Sequence, residues 1–434
     1  MVIGQVVRDH DFALSPGQRA MVSATKLDPA AAQFYAARHW RPLWFNGARP
    51  RPETTQLIAQ LRAAATDGLD PKAYQAGRLA TLIATAPPKD VKARARVDVA
   101  LSVALAHYVG DLRRPPPGGG MYYADPALPP PPVKEAAVLT QAASAPSLGA
   151  WLASVRNVNP IYDQLRDARA AYRAAHPGAP DAHEILLALN MERARALPAN
   201  LGDRYILVNA PSARLWAYDH GRAQETMEVV AGKTTDQTPL MVAQIRWAVL
   251  NPYWNVPPDL AQNRFAPKVL QVGPGFLTAE HYQVMSDFTQ NATPVDPATV
   301  DWVSVETGQT KLRMRQLPGP DNTMGAIKFM LPNPLGVYLH DTAERKLFAK
   351  QNRFFSAGCV RLEQPGQLAR WLFGRPLAAP RNGPPEQRVD LARPVPVYLV
   401  YFTALPTPTG MQYPADVYGR DAPMLRALRA VHRL

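Results

Sequence analysis

The chain has a single cysteine, Cys359, in 434 residues, which excludes any intrachain disulfide and any cysteine-rich zinc or iron site. It also lacks a membrane-spanning run: the most apolar helical stretch, 97–109, carries Asp98 and His107 and is too short to cross a bilayer. The opening MVIGQVVRDHD has no basic region, apolar region or cleavage site of a secretory leader, so the sequence is that of a cytosolic protein or of a chain whose leader has been removed. Zinc-finger spacing, basic-region heptads and an aromatic RNA-binding box are all missing, and the arginines are scattered, so nucleic acid is not an expected partner. Besides His340, the histidines (His10, His39, His107, His176, His183, His220, His281 and His432) form no HExxH or similar ligand spacing, and no metal or cofactor is expected.

What is present is a globular composition, with 47% hydrophobic and 19% charged residues, in a chain long enough for two or three packed units. The net charge of +13 favours anionic surroundings such as acidic lipid or cell-wall material. Residues 28–114 read as helical: Pro52 opens a segment with Leu57, Ile58, Leu61 and Ala64 at helical spacing, and further helices are expected over 74–83 and 91–112. The segment 113–133, RRPPPGGGMYYADPALPPPPV, cannot continue a helix and has two readings. One is a stiff linker; the other places Tyr122 and Tyr123 over a binding cleft. Helices resume over 148–155, 161–173 and 183–197, the last two parted by HPGAPDA.

After Gly202 the texture changes. Strands are expected over 205–208, 214–218, 226–230, 244–250, 326–330, 337–340 and 395–402, with one helix at 366–373. The irregular stretch 257–320 reads as a flap inserted into this β region. The expected fold class is therefore α+β: a helical domain over 22–200 that includes 113–133, a mainly β domain over 201–405, and a tail over 406–434.

Two pieces carry chemistry, YLHDT at 338–342 and FSAGCVRLEQP at 355–365, with His340 and Cys359 19 residues apart. A thiol is a useful nucleophile as thiolate, and a histidine within reach both activates it and returns the proton to a leaving amine. Gly358 lets the backbone approach closely, and the turn amides around Ala357, Gly358 and Cys359 suit a developing oxyanion. Arg361, two residues on, suits a carboxylate. The bland alternative is an inert, buried cysteine.

A histidine in a YLHDT-like strand followed by S-x-G-C-[IV]-R resembles the L,D-transpeptidase catalytic domain, the YkuD fold. The likeness extends over RYILVNAPSARLWAYD, TPLMVAQIRWAVLNPYWNVP, RQLPGPDNTMGAIKF, PVPVYLVYFTA and DVYGRDAPMLRAL, which look like the YcbB-like branch; FYAARHWRPLWFNG and TDGLDPKAY look like its helical scaffold. The resemblance implies Cys359 as nucleophile, His340 as general base and acid, and the Asp341 backbone carbonyl as the group that orients the imidazole. It implies Tyr338, Trp254, Arg361, Ser356 and Ala357 along the substrate cleft, with core packing as the alternative for Trp254, and the flap as a capping subdomain. The implied partners are the stem peptides and glycan strands of peptidoglycan, the implied location is periplasmic, and the implied drug class is the carbapenems.

Two departures stand out. Ala357 occupies the place of the family's usual histidine in S-H-G-C, and only HPGAPDA stands where YcbB-like chains carry a peptidoglycan-binding module. A YcbB-like chain without that module, with a proline-rich stretch, is similar to the branch that makes 1,3 cross-links. Ordinary 3,3 cross-linking, a sortase-like transpeptidase and a non-catalytic wall-binding scaffold are the alternatives; the T-L-x-T-C signature of sortases is missing, and papain-like proteases place cysteine before histidine.

Overall fold

Local sequence rules set the helical boundaries seen in the computed structural model, which describes residues 14–87, 89–117, 120–380 and 383–431. His10, His432 and the opening MVIGQVVRDHD lie outside the described residues. Ser15 caps the helix Pro16–Ala24 with a reciprocal capping box through Gln18. Asp28, Asp90, Ser147, Asn159 and Asp181 each accept a backbone N–H at the start of the helices Pro29–Ala37, Val91–Arg113, Leu148–Ser154, Pro160–Ala175 and Ala182–Ala194.

The chain divides into two compact units: residues 1–121, 129–200 and 402–434, and residues 122–128 with 201–401. The first is helical and includes the C-terminal helix Asp421–Ala430. Among its buried polar groups, Asp98 gathers several internal partners, as a buried carboxylate needs. Asp98, 1% exposed, accepts from the Leu43 and Trp44 amides at 2.9 and 2.8 Å and from the Tyr35 hydroxyl at 2.5 Å. The sequence reading misses the helix Glu135–Ser144, because the prolines just before it mask its start.

The second unit is built on a ten-stranded sheet. Its strands, numbered in chain order, are β1 Tyr122–Tyr123, β2 Arg204–Asn209, β3 Arg214–Asp219, β4 Arg222–Gly232, β5 Met241–Leu250, β6 Ile327–Met330, β7 Leu339–His340, β8 Phe354–Ser356, β9 Val360–Leu362 and β10 Gln387–Val400. The order β6-β7-β9-β4-β3-β2-β10-β5 closes on itself because β6 also pairs with β5, joining Ile327–Met330 to 247–250. β8 extends the sheet beside β4. Closure leaves few strand edges free. The inner face carries Val208, Leu215, Val229, Ala243, Phe329, Leu339, Val360 and Val397, all at most 1% exposed, and the helix Pro365–Phe373 packs Leu368, Ala369 and Leu372 onto it.

The proline-rich segment contributes a strand, which the sequence reading does not anticipate. β1 and the residue after it carry no proline, so the backbone can pair: Tyr122 donates to Leu240 O at 3.0 Å and Ala124 to Val242 O at 2.8 Å. β1 thereby borders the end of β5 that β6 does not reach. An Arg246–Asp125 ion pair at 2.9 Å fastens the following turn.

Between β5 and β6 the chain forms a small sheet of Trp254–Val256, Tyr282–Met285, Pro294–Val295 and Arg313–Gln316 with short helices around it. This insert has its own core, including Val256, Phe265, Val284, Trp302 and Met314. The stretch read as an irregular flap is thus a folded subunit of the β region, its regularity hidden by strands of two to four residues.

Candidate active site

Strand register assembles the site. β7 runs between β6 and β9, with Lys328 opposite His340 and His340 opposite Arg361. The adjacent row, Phe329, Leu339 and Val360, is fully buried in the core, so the period-two alternation sends Lys328, His340 and Arg361 to the other face. Tyr338 and Cys359 lie one step further along that face, joined through their backbones by the Val360 amide donating to Tyr338 O at 2.9 Å. Residues remote in sequence thus meet because the strands pair.

His340 is 2% exposed, and its Nδ1 lies 2.5 Å from the Asp341 carbonyl oxygen. A carbonyl only accepts, so Nδ1 carries the proton and Nε2 is left as the basic nitrogen. Asp341 is itself fixed: its amide donates to Ile327 O at 2.8 Å, its carboxylate accepts from the Ala326 amide at 2.8 Å, and Arg345 bonds it at 3.2 Å. Burial first, then Arg361 and Lys328, push the imidazole down to about 3, against the opposing pull of the Asp341 and Met324 carbonyls. His340 is neutral at physiological pH.

Cys359 is half-buried, and its Sγ lies 3.7 Å from Gly336 O. Burial pushes the thiol up, while the Tyr338 amide, Lys328 and Arg361 pull it down. The turn before it is locked by side chains. Gly358 has φ +100°, a region that favours glycine, and Thr238 Oγ1 donates to its carbonyl at 3.1 Å while accepting from the Gly232 amide at 2.9 Å. Because the peptide is trans, the Cys359 N–H points away from Thr238. Ser356, 2% exposed, donates from Oγ to Cys359 O at 2.5 Å, so its hydroxyl is committed to the turn. Ala357 is exposed at the tip of that turn.

Arg361 is ion-paired to Glu344. Lys328, absent from the sequence-derived candidates, places its ammonium 3.9 Å from the centre of the Tyr338 ring. Trp254 sits in the insert sheet, half-buried, with its ring 6.3 Å from Phe265 and 6.1 Å from Tyr282. These contacts are the core-packing alternative for that residue. The signals missed in sequence are Lys328, Thr238 and the Gly325 that abuts Asp341; each acts through register or turn geometry, and a period-two reading of 326–330 would have put Lys328 on the polar face.

Among the described residues one trio brings possible metal ligands together: Asp28, His107 and Glu135 place an atom each within 4.8 Å of one another in the helical unit. They come from separate segments, so motif spacing cannot detect them. Asp28 is already used to cap a helix through the Ala31 amide at 2.7 Å.

A buried imidazole on the face of a thiol, with a locked glycine turn before the sulfur, is the set of parts that cysteine acyl transfer uses. Residues 203–377 match the L,D-transpeptidase catalytic domain family, YkuD, and residues 29–168 match the Scaffold domain family. The chain therefore carries a Scaffold domain followed by an L,D-transpeptidase catalytic domain, which is that of cysteine-dependent acyltransferases. It is similar to a Haemophilus influenzae protein described as "Putative L,D-transpeptidase", 28% identical over 410 residues that span 91% of this chain and 78% of that protein. Solved structures that align with it are the Ldtfm-avibactam carbamoyl enzyme (16% identity, TM-score 0.22, 46% of this chain and 52% of that one) and an L,D-transpeptidase from Mycobacterium smegmatis (10%, TM-score 0.23, 45% and 58%). A cysteine-to-serine mutant of an Enterococcus faecium L,D-transpeptidase aligns at 15% identity, TM-score 0.22, over 47% of this chain and 52% of its own. The chain thus spans little more than half the length of these solved relatives.

Proposed function

We propose that the protein is a peptidoglycan L,D-transpeptidase that works in the periplasm through a thioester on Cys359. The observation that carries this reading is the shared face of Cys359 and His340, with the Nδ1 of His340 engaged by Asp341 O at 2.5 Å. Nε2 takes the thiol proton as sulfur bonds to the carbonyl carbon of an L-centre in the donor stem. The C–N bond then breaks, the leaving amine receives the proton from Nε2, and a thioester remains. The acceptor's diaminopimelate side-chain amine attacks that thioester and gives its proton to Nε2; the C–S bond breaks, and the sulfur regains the proton. The Gly358 and Cys359 amides are the proposed oxyanion donors, with Tyr338 and Arg361 along the donor stem. The net charge of +13 suits an anionic wall.

The donor residue is proposed to be L-Ala at stem position 1, giving 1,3 cross-links. Supporting this are Ala357 in place of the usual histidine, and the short 176–181 connection between the helices Pro160–Ala175 and Ala182–Ala194 where related chains carry a wall-binding module. The second reading is ordinary 3,3 cross-linking from diaminopimelate.

Incubating the enzyme with purified sacculi, digesting them and sequencing the dimers by tandem mass spectrometry tests both levels. New 1,3 dimers that vanish with Cys359→Ala are expected. Exclusively 3,3 dimers overturn the donor assignment, and no new dimer overturns the transpeptidase reading. A carbapenem such as meropenem is expected to add one mass increment to the wild type and none to Cys359→Ala.

A further inference from the structure

Two cations share the face of the thiol, and they are not equivalent. Arg361 has its charge answered by Glu344. Lys328 has no ion pair among the described residues; its ammonium rests 3.9 Å from the Tyr338 ring centre, opposite His340 in the strand register and one strand removed from Cys359. Burial pulls the Lys328 ammonium down, against the upward pull of Glu386 and of Cys359; Glu386, just before β10, accepts the Tyr253 amide at 2.6 Å. On and after β4, Glu228 pairs with Arg353 at 3.5 Å and Lys233 with Asp236 at 2.9 Å, and Asp341 bonds Arg345. Arg388 on β10 stacks on Trp247 of β5.

Many cysteine acyl-transfer sites favour the thiolate with an adjacent imidazolium. Here a charge on His340 would sit buried between Lys328 and Arg361, so the positive potential that a thiolate needs must come from elsewhere. We propose that Lys328 is an electrostatic positioning residue for the Cys359–His340 pair: its ammonium, held on the Tyr338 ring, stabilises the negative charge that develops on Sγ as the thiol proton passes to the neutral imidazole. The ring holds the cation without neutralising it, which a carboxylate partner would do. This inference rests on Cys359 being the nucleophile.

The chain has one thiol, so alkylation by iodoacetamide reads Cys359 alone and needs no peptidoglycan. In the full-length protein, the rate plotted against pH gives the thiol titration. Lys328→Met is expected to move the midpoint up by about one pH unit and to slow alkylation at pH 7 by about tenfold. Lys328→Arg, which retains charge and ring stacking, is expected to stay near the wild type. A Lys328→Met profile superimposing on the wild type overturns the proposal, as does a Lys328→Arg profile shifted as far as that of Lys328→Met. Should near-ultraviolet circular dichroism show Lys328→Met unfolded, Lys328→Gln is read against the same two outcomes. Because the readout is substrate-free, its failure leaves the cross-linking reading intact, and absent cross-links leave the titration result standing.

Discussion

Gly325 and Asp341 are packed so closely that a Cβ on the glycine would lie 2.4 Å from Asp341 Cγ. The glycine also has φ +64°, so both its conformation and its missing side chain are used. The contact seats the carboxylate that receives the Ala326 amide, and the same residue's carbonyl faces His340. Gly325→Ala is expected to cost about 1–2 kcal/mol for the left-handed backbone and about 1–3 kcal/mol for overpacking. Urea midpoints give the first readout. A loss of activity under conditions where the variant remains folded gives the second, since a displaced Asp341 misaims the imidazole.

Burial of neutral His340 ties stability to pH. The folded-state imidazole lies at about 3, below its unfolded value of about 6.5. Between these values the unfolded chain binds the extra proton, so stability is fully present above about pH 6.5 and falls as pH drops towards 3. His340→Gln lacks this dependence. Its unfolding free energy between pH 4.5 and 6.5 is expected to rise less steeply than the wild type's by about 1 kcal/mol per pH unit. Parallel slopes for the two proteins would refute the buried neutral imidazole.

Thr238 is a hinge between two backbones, receiving the Gly232 amide and donating to the Gly358 carbonyl. Thr238→Val keeps the shape and removes both bonds. Leaving these buried groups unpaired is expected to cost about 1–3 kcal/mol. It should also slow acylation by a carbapenem more than it slows carbapenem association, as separated by stopped-flow. Equal rates would show that the turn holds its shape without the hydroxyl.

The edge pairing of β1 predicts a proline effect. Ala124→Pro removes the amide that donates to Val242 O at 2.8 Å, and is expected to destabilise the β region by about 1–3 kcal/mol. Hydrogen exchange of the 241–243 amides is the measurement. Protection unchanged from the wild type would mean that β1 contributes nothing to that edge.

Much of the site is legible in sequence because its residues are local to two short motifs: His340 with Asp341, and Ser356 through Arg361. Strands are nearly as legible: those expected over 214–218 and 244–250 are found at Arg214–Asp219 and Met241–Leu250, since apolar-rich stretches mark buried strands. What escapes depends on partners. Lys328 becomes relevant only once β6 and β7 are in register, and Thr238 only once the turn after β4 meets the cysteine turn. β1 has two residues and no period to read. Trp254 has the same aromatic signature whether it faces a cleft or a core, and only its neighbours Phe265 and Tyr282 separate the two.

The closed order of the sheet also bears on synthesis. β5 is bordered by β1 on one side and β10 on the other, strands that lie at 122–123 and 387–400. A ribosome must therefore release some four hundred residues before the strand can acquire both neighbours. Until then the hairpins of β2, β3 and β4 are complete but unenclosed, with β2 still lacking its parallel partner β10. The nascent chain is thus exposed to strand-edge association for most of its translation, and folding of this unit is a late, chain-length-gated event.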